Sequence, residues 1–271
     1  MDQSMQSSRL RIIQNWKDSE EYQILQKTLH AEALQIYQFV IAHVDSYRKV
    51  IPSRTEIGSK SDLHRGFYCP SPVQDAVIGN VKRGKLLKRL SKRSSTYYVY
   101  GFDENDRLVW IDHYYNGSLI NTEYLLYKNE CIYGVKVEND GRITQVTFEK
   151  YQGQRIVSYW NVQVLSSRER DPITQMRKEV YDYNQWGLSQ CIITEFINEA
   201  PLLNELLFSS MAKKGLFCTQ RIYHFKCKDD MLESYSVSDV IGCEPHADLN
   251  RSSEYDVLVT RKADLVGFPF T

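Results

Sequence analysis

The sequence predicts an α+β protein that is mainly antiparallel β: a large hairpin meander with a long N-terminal helix and one inserted helix. Three observations predict it. Turn signals recur about every dozen residues from Asp103 to Gly153, β-branched and aromatic residues fill the intervals, and one long apolar stripe at helical spacing precedes them.

The stripe lies in residues 17–49, where Leu25, Leu29, Ala33, Ile36, Phe39, Val40 and Val44 recur at three- and four-residue steps. Asp18 or Ser19 is placed to cap this helix, Glu20 and Glu21 suit the positive end of its dipole, and Pro52 ends it. Residues 51–80 contain Pro52, Pro70, Pro72, Gly58, Gly66 and Gly79, and read as an irregular connection with a short helical turn at 73–78. The expected organisation is a helical segment at 1–50, that connection, and a β-meander at 81–271, all in one compact unit.

The hairpin logic is clearest in "VYGFDENDRLVWI", residues 99–111. Two large residues end a strand, and an Asp, Glu or Asn then starts the reversal by accepting backbone N–H bonds ahead of it. Three residues on, left-handed backbone is needed, which suits Gly141 and Gly187 and is tolerable at Asp106. Asn116–Gly117 is the strongest hairpin signal, since both residues tolerate the positive φ of a type I′ turn. The run 199–214, capped by Asn198 and stopped at Gly215, predicts the inserted helix, with strands at 216–227, 231–240 and 254–261.

The spacing of Tyr100, Phe102, Asp103, Asp106, Arg107 and Leu108 resembles the YD repeat of bacterial RHS proteins, in which Tyr-x-Tyr-Asp precedes Gly-Arg-Leu. Val135–Ile143 follows the same register with Glu138 in the Asp position and Gly141–Arg142 intact. Tyr181–Leu188 keeps Tyr-x-Tyr and Gly–Leu, and Tyr223–Met231 is degenerate. The resemblance covers about residues 97–240 and implies an RHS-like β-sheet associated with bacterial toxin systems.

Lys plus Arg and Asp plus Glu number 34 each, so no global field draws the chain to nucleic acid or membrane. Asp2 and the absence of an early apolar run argue against a signal peptide, and no segment reads as membrane-spanning. Six scattered cysteines suit reduced thiols in a cytoplasm. Cys218, His224, Cys227, Cys243 and His246 lack the paired short spacings of a zinc site, so no metal and no cofactor are expected. Asp112, His113 and Cys131 are the one candidate catalytic cluster, on neighbouring strands. No phosphate loop, nucleophile elbow or metalloprotease motif accompanies them, and the expectation is a protein without catalytic residues.

Two binding surfaces remain. Asp103, Glu104, Asp106 and Glu130 lie in alternate turns and so share a rim, and Trp110, Tyr114 and Tyr124 stand on the strands between turns. Acids and half-exposed rings of this kind suit a protein partner, and the expectation is an immunity-type protein that occludes the active site of a secreted toxin domain. The alternative is a nucleic-acid-binding module using Lys82, Arg83, Lys85, Lys88, Arg89, Lys92 and Arg93, followed by Tyr97, Tyr98 and Tyr100. In the plainer reading of that run, Leu86, Leu87 and Leu90 are core and the cations guard an edge strand.

Overall fold

The computed structural model describes residues 19–77, 83–165, 171–197, 218–228, 231–241 and 253–262. Helix α1 (Glu20–Tyr47) begins where Ser19 Oγ accepts the Tyr22 N–H at 3.2 Å. Its buried residues Tyr22, Leu29, Ala33, Ile36, Val40 and Tyr47 form the anticipated stripe, with Leu25, Phe39 and Val44 packed at its borders.

The strands are β1 (Arg54–Ser59), β2 (Leu86–Leu87), β3 (Thr96–Phe102), β4 (Leu108–Tyr115), β5 (Ser118–Lys128), β6 (Cys131–Glu138) and β7 (Ile143–Gln152). They continue as β8 (Arg155–Val164), β9 (Ile173–Asn184), β10 (Gly187–Ile197), β11 (Cys218–Lys228), β12 (Met231–Ile241) and β13 (Ser253–Lys262). Among the described residues they make one antiparallel sheet. From β3 to β13 each strand pairs with the next, and beyond β3 the order runs β1 and then β2 at the edge. The meander expected from the turns is therefore present. Asp106, Asn116, Gly117, Gly141 and Gly187 all adopt positive φ at the reversals.

The described part of residues 51–80 corrects the reading of an irregular connection by containing β1 and a 3-10 turn (Gly66–Tyr68), while the short helical turn expected at 73–78 is present as helix α2 (Gln74–Val77). Strand β1 was hidden because Pro52, Gly58 and Ser59 punctuate it, and its pairing with β3 is a tertiary contact. Gly58 is needed there because an added Cβ would come within 2.6 Å of the Tyr100 ring. The expected helix at 199–214 lies outside the described residues.

Alternation along the strands gives the sheet two unlike faces. Toward α1, one row crosses seven strands as Trp110, Tyr124, Val135, Val146, Val162, Met176 and Phe196. The β6–β10 members of this row pack under α1 with Trp160 and Val164. The other face curls into a trough. A single cleft touches Tyr98 of β3 and Gln163 of β8, which a flat sheet would hold about 24 Å apart at ~4.8 Å per strand. Residues 60–73 run through this trough as a strap from β1, and α2 at its end lies against β13.

Candidate functional site

The trough changes character along its length. At the rim of turns 103–107, 129–130 and 153–154 it is apolar, with Phe102, Leu108, Ile132, Tyr151 and Ile156 buried together. At mid-length, three cross-strand rows place Glu123, Thr147, Glu149, Arg177 and Glu179 on the inner face. At the opposite rim the lining becomes amide: Asn121, Gln145, Asn161 and Gln163.

The strap supplies a cation to the middle zone. Arg65 sits at φ +61° with its side chain 3% exposed. Its Nε donates to Glu123 Oε1 at 2.8 Å, Nη2 to Thr147 Oγ1 at 2.8 Å, and Nη1 to Glu149. Gly134 makes room for this group, because a Cβ there would meet Thr147 Oγ1 at 2.2 Å and Arg65 Nη2 at 2.8 Å. A second cluster lies beside it. Ser71 Oγ donates to Glu179 Oε2 at 2.7 Å, and Arg177 bridges Glu179 and Glu195 at 2.7 and 2.6 Å. Left-handed backbone at a buried arginine stores strain, and the ionic contacts hold it in place.

Next to Arg65 lies His64, with one ring nitrogen hydrogen-bonded and the other at ion-pair distance from a carboxylate but outside hydrogen-bond geometry. Nε2 lies 2.7 Å from Glu123 Oε2, and Nδ1 is 2.8 Å from the Tyr159 hydroxyl. Burial lowers the His64 pKa, and Glu123 only partly offsets this. Burial alone would raise the Glu123 pKa, but Arg65 and His64 outweigh it and hold the carboxyl well below its ordinary range. Glu149 goes the other way: burial raises it and Arg65 does not fully compensate.

These directions predict the pH dependence of stability. Below about pH 6.5 the unfolded chain takes up a proton that folded His64 refuses, so stability falls with acidification. Below about pH 4.3 the contribution of ionised Glu123 is lost as well, which steepens the fall. Glu149 acts with the opposite sign, since its raised pKa favours folding on the acid side. Urea unfolding across pH should show His64→Gln flattening the upper part of the acid limb and Glu123→Gln the lower part.

The residues singled out in the sequence are distributed as follows. Asp103, Glu104, Asp106 and Glu130 share one rim, since alternate turns of the meander do. Asp103 is bound to Arg107 and accepts backbone N–H bonds from Asn105 and Arg107 at 2.9 and 3.0 Å, while Asp106 pairs with Arg54 at 2.7 Å. Glu104 and Glu130 are exposed. Trp110 and Tyr124 are register neighbours on the α1 side, with Trp110 against Gly101. On the same face Tyr114 stacks on Tyr97 with ring centroids 4.9 Å apart. All four rings are partly exposed.

In the basic run, Lys85, Lys88, Arg89, Lys92 and Arg93 are exposed. Arg83 is a structural residue whose guanidinium donates to the Cys69 and Ser71 carbonyls, and Lys82 lies outside the described residues. Leu86 and Leu90 are 41% and 37% exposed, which corrects their reading as core. They sit on and beside a two-residue strand that ends the sheet among the described residues.

The structure does not bring Asp112, His113 and Cys131 together. Asp112 and His113 are consecutive on β4 and so face opposite sides. Asp112 aligns through Thr122 with Val137, six residues along β6 from Cys131, about 20 Å at the rise of a strand. Among the described residues no three His, Cys, Asp or Glu side chains are grouped as a metal ion requires, and Cys243 and His246 fall outside them. No helix among the described residues is long and apolar enough to cross a membrane.

Sequence reasoning missed His64, Arg65 and the amide row. The strap reads as a proline- and glycine-punctuated loop, and nothing in it signals a buried cation. The available signal was on the strands, where Glu123, Glu149 and Glu179 stand mid-strand among apolar residues.

Comparison of the chain with protein-family models and with curated proteins finds no match.

Proposed function

We propose that the protein is a non-catalytic binding protein that docks a protein partner on the α1-side face of β3–β5, with an immunity-type inhibitor of a toxin domain as its form. The observation that carries this reading is the strip of partly exposed rings on β3–β5, Tyr97, Trp110, Tyr114 and Tyr124, of which Tyr124 borders the α1-covered core and the other three lie beyond it. Large rings with polar edges are the residues from which interface hot spots are made. The non-catalytic part rests on Asp112, His113 and Cys131, which the sheet holds apart on opposite faces and distant register positions. The toxin partner rests on the YD-repeat resemblance. The rim acids contribute less than their number implies, because Asp103 and Asp106 are neutralised by Arg107 and Arg54.

Titration calorimetry against a toxin domain encoded beside this chain tests the proposal. Tyr114→Ala and Trp110→Ala should each weaken binding more than about tenfold, as expected for loss of a hot-spot ring. Failure to bind that domain, or variants that bind like the parent, would discard the reading.

A second reading is favoured by one observation. Lys85, Lys88, Arg89, Lys92 and Arg93 are exposed and have no ion-pair partner among the described residues, unlike Asp103 and Asp106 on the rim. Such cations suit a phosphate backbone, with the Tyr97–Tyr114 stack available to bases. This reading requires affinity for single-stranded nucleic acid that falls steeply with salt and disappears when Lys85, Lys88, Arg89 and Arg93 are neutralised together.

A further inference from the structure

The amide zone of the trough opens as a cleft of about 250 Å³ between the strap and β3–β8. Its side chains form a chain of hydrogen bonds. Lys136 Nζ donates to Gln145 Oε1 at 3.1 Å, Gln145 Nε2 to Asn161 Oδ1 at 2.7 Å, and Gln163 Nε2 to the same Oδ1 at 3.1 Å. With Asn161 Oδ1 accepting twice, its amide is oriented and both Nδ2 hydrogens are free for a ligand. Gln145, although buried, retains a second N–H, and the Lys136 ammonium retains two.

The cleft lining carries two cations, Arg65 and Lys136, and two acids, Asp62 and Glu123. Lys136 has no carboxylate within ion-pair distance among the described residues. Glu123, its cross-strand neighbour, is ion-paired with Arg65 and lies against His64, while the Lys136 charge also acts on it. His113 stands on the wall, stacked on Tyr98 at 4.8 Å, and two acids face this region: Asp62, exposed at the mouth, and Glu138, whose Oε1 accepts the Thr144 hydroxyl at 2.8 Å. The unpaired cations of 85–93 lead into β3 at the same rim. A half-buried ammonium beside free amide donors, an imidazole and a stacked ring matches an anion that also carries hydroxyls or carbonyls. The volume lies below that of drug-sized sites, so the occupant is a small molecule or the end of a chain.

We infer that this cleft binds a small carboxylate, its anionic group between Lys136 and His113 and its polar body along Gln145, Asn161 and Gln163. The site is on the sheet face opposite the aromatic strip, so its test is independent of the docking proposal. Burial and the Lys136 charge lower the His113 pKa, with Glu138 pulling weakly the other way, and a bound carboxylate would raise it.

The experiment is NMR titration of the ring-labelled full chain with D-gluconate and with sorbitol, the comparable polyol without a carboxylate. Gluconate should shift the His113 resonances saturably and move its titration upward, and sorbitol should do neither. Lys136→Gln should weaken gluconate at least tenfold, and Asn161→Ala, which leaves the charge in place, should weaken it less. A parallel pair, acetyl-trialanine as free acid and as amide, separates the two sources of a carboxylate. Response to the free-acid peptide alone would assign the site to a chain terminus, and response to gluconate to a free hydroxy acid. No saturable change with either carboxylate at millimolar concentration, equal response to sorbitol, or an unaltered response in Lys136→Gln would overturn the inference.

Discussion

Arg65→Met should destabilise the protein by roughly 3–5 kcal/mol, the range found when one member of a buried ion pair is removed. Methionine fills much of the same volume, so the loss is chiefly electrostatic. Glu123 and Glu149, 5% and 1% exposed, would lose their shared cation inside the trough. Part of the deficit would be relieved by protonation, so the variant should be relatively less impaired at acid pH than at neutral pH. Arg65→Lys should recover only a fraction, because one ammonium cannot reproduce the fork that reaches Glu123, Thr147 and Glu149 together. Urea denaturation measures both variants. A loss below about 1 kcal/mol in Arg65→Met, the scale of a surface pair, would show that the ionic centre does not hold the strap.

The second large effect is expected from the smallest possible change. Gly134→Ala adds one methyl group at a position where it would contact Thr147 Oγ1, Glu123 Oε1 and Arg65 Nη2 at 2.2, 2.7 and 2.8 Å. None of the three can retreat without breaking a bond to another. The cost should be about 3 kcal/mol, the upper end of ordinary overpacking. Gly141→Ala supplies the contrast. Its φ is +86° with nothing within 4 Å of the added carbon, so only backbone strain operates, and about 1 kcal/mol is expected. Thermal melts of the two variants separate crowding at the ion cage from the general intolerance of turns. Equal melting points would refute the crowding argument.

The hairpins were legible because their determinants are local. Asn116–Gly117 and the Asp103–Arg107 reversal carry their own chemistry, and the α1 stripe is a periodicity that needs no partner to be seen. Strand β1 was not legible, since Thr55 and Ile57 become a strand only when β3 stands beside them. The candidate site was hidden for a related reason. Asn121, Gln145, Asn161 and Gln163 alternate with apolar residues as the wet side of a sheet should, and only curvature and the strap turn that side inward. At the rim, acid counts along the chain could not reveal that Arg54, distant in sequence, neutralises Asp106.

The strap has a consequence for how the chain reaches its native state. Arg65 and Ser71 find their acceptors 58 to 108 positions downstream, at Glu123, Glu149 and Glu179. During synthesis this segment therefore leaves the ribosome well before its binding groove has been translated. Closing contacts so remote in sequence is slow. A nascent chain halted before β7 would lack Thr147 and Glu149 for the arginine, and one halted before β9 would still lack the Glu179 acceptor of Ser71.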